Sequence, residues 1–261
     1  MSEENKLKTI IEKSSEIGGG LTGAVIGLVV AGPAGVLGGA LVGPICTSLF
    51  KKVGTEISER FLGKREEIRV GATLSLAYNN IQKKIDEGQV LRNDDFYNSN
   101  SGERSGAETI LEGTLLKARN EYEEKKIKYY ANFLANVNID SSISFEKGNT
   151  ILRIIEQLSY RQFVMLAYFK GIDELDIDGW MVGFSEKEEL GIHQDFYSEL
   201  IDLYNQQLLQ QAGKGISMSI RSLKISPLGK TLYNLLELDI MDEDDKSLIE
   251  KTISEVRSLK Q

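Results

Sequence analysis

Residues 17–50 read IGGGLTGAVIGLVVAGPAGVLGGALVGPICTSLF, 34 residues with no Asp, Glu, Lys or Arg. Ten of the chain's 25 glycines fall between Gly18 and Gly43. A helix crosses a bilayer core with about 20 apolar residues, so this stretch is long enough to insert. Small residues occupy every fourth position without a break: Gly19, Gly23, Gly27, Ala31, Gly35, Gly39 and Gly43. On a helix such positions share a face, and small side chains there let a second backbone approach closely. Val25, Ile26, Leu28, Val29, Val30, Val36, Leu37, Leu41 and Val42 lie between them. In water each glycine would cost a helix up to about 1 kcal/mol. In lipid the backbone must satisfy its own hydrogen bonds, so the helix forms regardless. The spacing predicts a glycine zipper, a membrane-inserting and self-associating segment over residues 18–50.

Other readings of the stretch fit less well. A secretory signal needs a basic leader, but Glu3, Glu4, Glu12 and Glu16 outnumber the lysines that precede it. Gly18, Gly20 and Gly23 spell GxGxxG. A dinucleotide loop would need a strand before that motif and an acid about 20 residues after it. Leu7, Ile10, Ile11, Ser14 and Ile17 instead have helical spacing, which predicts an amphipathic helix over 1–17. A buried glycine-rich hairpin in a soluble fold is the main alternative, and the two can be resting and inserted states of one protein. Pro33 implies a kink or a turn, leaving one bent helix or a hairpin, and Pro44 marks a second break. Lys51 and Lys52 begin a basic flank that continues through Arg60, Lys64, Arg65 and Arg69. Such a flank keeps the body of the chain on the cytoplasmic side. Cys46 lies inside the apolar stretch and reads as a small hydrophobe.

The whole-chain totals exclude several functions. The 261 residues carry 31 Lys+Arg against 39 Asp+Glu, a net charge of −8. General nucleic-acid binders are normally basic. One cysteine and one histidine rule out a disulfide framework and a multi-histidine metal site. No carboxylate pair stands out as an acid and base. A non-enzyme with no cofactor is expected.

The rest of the chain reads as mainly α. Ile57, Phe61, Ile68, Leu74, Leu76, Ile81 and Ile85 predict helix from Thr55 to Glu87. Residues 89–106 read as a polar loop. A second helix is expected from Ala107 to Val137, with Glu121 paired to Lys125 on a solvated face and Tyr129–Asn136 in the core. The domain plan is an α-helical region over 51–140 and a C-terminal unit over 145–261.

In that unit, residues 145–170 predict two helices broken near Ser159. Ser185 to Glu188 form a capping box, and helix is expected from Phe196 to Gln211. Alternation across Lys214–Ser226 predicts a short β-hairpin, and Pro227 opens another helix. Gly229-Lys230-Thr231 is no Walker loop, because Lys224 stands where that motif needs glycine. The order is that of a winged helix, and Ile225-Ser226-Pro227-Leu228-Gly229-Lys230 resembles the segment that follows the wing in many bacterial winged helices. Residues 185–211 hold Glu186, Glu188, Glu189, Asp195, Glu199 and Asp202 against one lysine. A DNA-reading helix needs the opposite balance, and Arg221 and Lys224 on the wing do not restore it. DNA is not expected as a partner, and a protein-interaction role is. His193 has no metal-ligand companions, and Trp180 reads equally as a core anchor or a partner contact.

Tyr129-Tyr130-Ala131-Asn132-Phe133-Leu134-Ala135-Asn136, then Ile154-Ile155-Glu156-Gln157-Leu158-Ser159-Tyr160-Arg161-Gln162, then the winged-helix tail resemble bacterial abortive-infection proteins of the Abi-alpha type. The resemblance covers roughly residues 60–238, outside the glycine zipper. It implies phage defence. The expected partners are further copies of the chain, a lipid membrane and a phage protein as trigger. The expected location is the bacterial cytoplasm at rest and the cytoplasmic membrane when active. The rival expectations are a membrane-anchored sensor or adaptor without pore activity, and a soluble winged-helix regulator.

Overall fold

A computed structural model describes residues 43–60, 62–99, 103–177, 191–212 and 222–258. Among these the fold is mainly α, with nine α-helices and a small three-stranded antiparallel sheet. The chain divides between Gln157 and Leu158 into two compact units.

The first unit holds α1 (Pro44–Ser58), α2 (Lys64–Asp86), α3 (Gly106–Asn120), α4 (Ile127–Val137) and α5 (Phe145–Gln157). Val70, Leu74, Ala77 and Ile81 repeat every three or four residues and form the buried stripe of α2. That stripe packs on α4 and α3. In α4, Tyr129, Tyr130, Phe133, Leu134 and Val137 are all buried. A helix apolar on nearly every side belongs at the centre of its unit. Its buried Asn132 accepts a 2.7 Å hydrogen bond from the Asn80 amide of α2.

Two helices expected from the sequence are each divided. The run from Thr55 to Glu87 breaks between α1 and α2. Gly63 there is extended and donates its N–H to Glu66 Oε2 at 2.8 Å, which starts α2 afresh. The run from Ala107 to Val137 breaks after Asn120, where Glu121 turns extended. Glu121 was expected to meet Lys125 in solvent. It is buried instead, and Lys126 Nζ lies 2.6 Å from its Oε2 with both side chains almost fully enclosed. Residues five apart on one helix point about 140° away from each other, so this pair can form only where the helix is interrupted.

α5 was expected in the C-terminal unit but belongs to the first. Its buried Ile151, Leu152 and Ile155 form the apolar stripe that packs on α3.

The second unit comprises α6 (Tyr160–Lys170), β1 (Leu175–Asp176), α7 (Gly191–Asn205), β2 (Leu209–Gln211), β3 (Ser222–Ile225), α8 (Pro227–Leu236) and α9 (Glu243–Ser258). Ser159 caps α6, accepting from the Gln162 N–H at 3.1 Å while Gln162 Oε1 accepts from the Ser159 N–H at 2.9 Å. The sheet order is β1-β3-β2, with Leu175 opposite Leu223 and Leu209 opposite Ile225. The helix expected to run to Gln211 stops at Asn205, because Leu209–Gln211 is needed as the partner strand of β3. The hairpin strands therefore lie at 209–211 and 222–225. Residues 213–221 are outside the described residues, as are Trp180 and the capping box at Ser185.

Ser226 ties the sheet to α8. Its hydroxyl accepts from the Gly229 N–H at 2.9 Å and donates to Gln207 O at 2.5 Å. This draws the α8 backbone so close to β2 that a Cβ on Gly229 would stand 2.2 Å from Leu208 O. Backbone cannot yield as a side-chain tip can. Gly229→Ala should therefore destabilise the protein by about 2–3 kcal/mol in denaturant titration. Gly148→Ala should be neutral or stabilising, because the nearest atom to its new Cβ is Ile110 Cδ1 at an ordinary 3.5 Å.

Candidate functional site

The described chain begins at the last glycine of the four-residue repeat. Gly43 has φ +77°, outside the right-handed helix region, and is the N-cap of α1. Left-handed backbone favours glycine. An added Cβ would also press on Leu91 Cδ1 at 3.2 Å. Pro44 fills the first helical position, where a missing N–H costs nothing. The other expected zipper residues, Gly19, Gly23, Gly27, Ala31, Gly35 and Gly39, lie outside the described residues, as do Gly18, Gly20 and Pro33.

Residues 44–50, the end of the uncharged stretch, are the first two turns of α1. Cys46, Leu49, Phe50, Val53 and Ile57 repeat every three or four residues and are all buried. This apolar face continues past Lys51 and Lys52, so residues 44–50 belong to an amphipathic helix docked on α3 and α2. No described helix is long and apolar enough to cross a membrane.

Charged residues border the docked face. Lys51 and Lys52 are both exposed. Lys52 Nζ lies 2.5 Å from Glu108 Oε1 on α3. Arg104 bridges Glu56, at 2.6 Å, and Glu112, which is also bonded by Arg60. The hydrogen bond from Lys52 holds the Glu108 carboxyl below the usual carboxylate range, against the opposing effect of partial burial. The spacing is complementary: Lys52, Glu56 and Arg60 are four apart along one side of the chain, and Glu108 and Glu112 are four apart on α3. Pairing these two series was the sequence signal for the contact.

The segment that receives Gly43 is itself pinned. Arg92, beside Leu91, is buried in the connection between α2 and α3. Its Nη1 donates to Val137 O at 3.1 Å and Ile143 O at 2.8 Å, carbonyls at the α4–α5 turn. Its Nε and Nη2 grip Asp94 at 2.7 and 2.5 Å, and its guanidinium lies 4.1 Å from the Phe96 ring centroid. The arginine's charge and hydrogen bonds hold the Asp94 carboxyl below its ordinary range. The polar loop expected over residues 89–106 is thus anchored near its start by a buried cation.

In the second unit, the acids of α7 divide by face. Asp195 and Asp202 are exposed. Glu199 turns inward, 3.2 Å from Arg161 Nε, and burial raises its carboxyl pKa despite the nearby arginine. Lys224 does not stand clear as a phosphate contact. It shares an open depression of about 460 Å³ with Lys170, Lys230, Asp173 and Glu174. His193 belongs to α7. Among the described residues, no group of three His, Cys, Asp or Glu side chains could hold a metal ion.

Two tests follow from this chemistry. Cys46 is the only cysteine and is fully buried, so its labelling by a maleimide reports undocking of α1. Glu108→Lys with Glu112→Lys should speed labelling about tenfold, a cost of ~1.4 kcal/mol spread over the exposed pairs. Adding Lys52→Glu should recover part of the protection. Val53→Asp, which buries a charge in the docked face, should expose Cys46 far more. For Glu199, a raised folded pKa means that the folded state holds the proton more tightly. Its contribution is present below the unfolded value and lost as pH rises through the folded one. Glu199→Gln should match the wild-type melting temperature near pH 4 and exceed it near pH 7.

No family model matches this chain, and comparison with curated proteins and with solved structures found no match.

Proposed function

We propose that this protein is a membrane-active effector whose glycine-rich segment inserts into a bilayer and self-associates, while the folded units carry recognition and control. The observation that carries this reading is the unbroken four-residue repeat of small residues from Gly19 to Gly43 in a stretch with no charge. In water that many helical glycines are a cost rather than a gain. A bilayer supplies one, because close helix packing there depends on small residues in line. The inserting part is residues 18–42, and the docked α1 that follows is its connection to the body. Insertion by several copies would make a pore that collapses ion gradients.

The C-terminal unit is read as a winged helix used for protein recognition. The sheet order β1-β3-β2, with α7 before the hairpin, supports the topology. The exposed Asp195 and Asp202 on α7 favour a protein partner over DNA, whose phosphates they would repel. Phage defence, with a phage protein as trigger, rests on the resemblance of residues 129–136 and 154–162 to Abi-alpha proteins.

Dye-loaded vesicles mixed with the full-length protein test the reading. Leakage should occur with the wild type and fall at least tenfold with Gly27→Leu and Gly39→Leu, because leucine on the packing face holds the backbones apart. Unchanged leakage in the double variant would remove the zipper from the mechanism. Binding to vesicles without leakage of dye or ions would reduce the function to an anchor, and absence of binding would overturn the membrane role.

A further inference from the structure

Five large hydrophobic side chains stand exposed among the described residues: Ile45, Val90, Tyr122, Ile240 and Leu248. Ile45 is 63% exposed and Val90 77%. Both lie within two residues of a close approach, where a Cβ added to Gly43 would stand 3.2 Å from Leu91 Cδ1. Pro44, between Gly43 and Ile45, is exposed as well. An isolated exposed valine needs no explanation. Two of five gathered where the uncharged segment joins the body do.

The charges near this corner are mixed. Lys51, Lys52 and Lys83 are exposed cations. Asp94 is engaged by Arg92, Asp86 accepts from the Gln82 amide at 2.9 Å, and Asp95 accepts from the Asn98 amide at 2.9 Å. Glu87 is exposed. Such a balance carries no strong preference for a charged partner. It suits a surface that offers both charges beside an apolar layer.

We infer that this corner, formed by Pro44, Ile45 and Val90, rests in the headgroup region of a lipid bilayer when the protein acts. The inference depends on the membrane reading above. The chain entering the corner is uncharged from residue 17 to residue 42. If that segment occupies the hydrocarbon, Gly43 lies at its edge. Ile45 is two residues further along, about 3 Å at the rise of a helix. The headgroup layer is about 5–7 Å deep on each side, so Ile45 lies within it. Leu91 lies beside Gly43, its Cδ1 3.2 Å from where a Cβ would stand, so its neighbour Val90 is near the same edge. Both side chains lose apolar surface to water there, which is favourable.

The test uses the full-length protein with Cys46→Ala and Val90→Cys, the new thiol carrying an environment-sensitive fluorophore. Vesicles of phosphatidylcholine, alone or with phosphatidylglycerol, are added and bound protein is isolated by flotation. The expected result is a blue-shifted emission at position 90, shielded from aqueous iodide, on both vesicle types. The same label at Tyr122→Cys should remain quenchable. Ile45→Asp with Val90→Asp should weaken partitioning about tenfold or more. Protein that floats while the label at 90 stays fully quenchable overturns this inference and leaves the membrane role standing. Protein that does not float overturns both. A label already shielded before vesicles are added assigns the corner to a second copy or to residues 17–42, which also overturns the lipid contact.

Discussion

Phe50 and Val53, each 1% exposed, lie at the middle of the apolar face by which α1 docks on α3 and α2. That packing attaches α1 to a unit whose centre is α4. Cys46 and Leu49 extend the face toward Gly43, and Ile57 extends it toward the break before α2. Burying each such side chain is worth about 1.5–3 kcal/mol. The bordering pairs of Lys52 with Glu108 and of Arg104 with Glu56 are partly exposed, and pairs of that kind are worth about 0–1 kcal/mol each. Apolar packing therefore holds α1 in place, and the charges set its register along α3. A trigger that only screened charge would leave α1 docked. Release needs a competitor for the apolar face itself.

Buried charge plays a different part. Glu121 with Lys126, and Arg92 reaching out to the exposed Asp94, bring charged groups into a unit whose core is otherwise largely Leu, Ile, Phe and Tyr. Removing a charge from water is expensive, and its partner repays the cost only with good geometry. The gain here is in the path of the chain. The Glu121–Lys126 pair fixes the break between α3 and α4. The Arg92 fork fixes the α2–α3 connection against the carbonyls of Val137 and Ile143. Tyr130 hydrogen-bonds Glu121 at 3.2 Å, and its own pKa is pushed up by burial and by that carboxylate's charge. Each network occupies a place where hydrophobic periodicity alone would allow a longer helix or a looser loop.

This explains what could be read in the sequence. Ser159 with Gln162, Pro227 after Ser226, and the stripes of α2 and α5 are local patterns, and the elements they mark stand close to where they were expected. The repeat from Gly19 to Gly43 was equally legible as a pattern, and its final residue proves to be a helix cap at φ +77°. What was not legible depends on distant partners. Glu121 looks like a surface acid until Lys126 and Tyr130 surround it. Lys52 looks like a membrane flank until Glu108 faces it from 56 positions away. Leu209–Gln211 continues a helical pattern, but β3 lies alongside and its backbone groups need partners.

The boundary between the two kinds of chain also shifts. By composition the uncharged stretch ends at Phe50, seven residues beyond Gly43. By packing it is divided at Gly43, because Cys46, Leu49 and Phe50 already face the protein core. Absence of charge is therefore ambiguous: it marks lipid-facing helix and docked helix alike. The distinguishing feature is periodicity. Before Gly43 the small residues recur every four positions, with branched apolar residues on the remaining sides. After Pro44 the buried residues follow a three-and-four spacing, and Ser48, Lys51, Lys52 and Thr55 face solvent. A helix meant for lipid has no need of a polar face, whereas a helix docked on a protein surface requires one. On the membrane reading proposed above, the change of pattern at Gly43-Pro44 is where one solvent's rules give way to the other's, and it is at this corner that Ile45 and Val90 remain exposed.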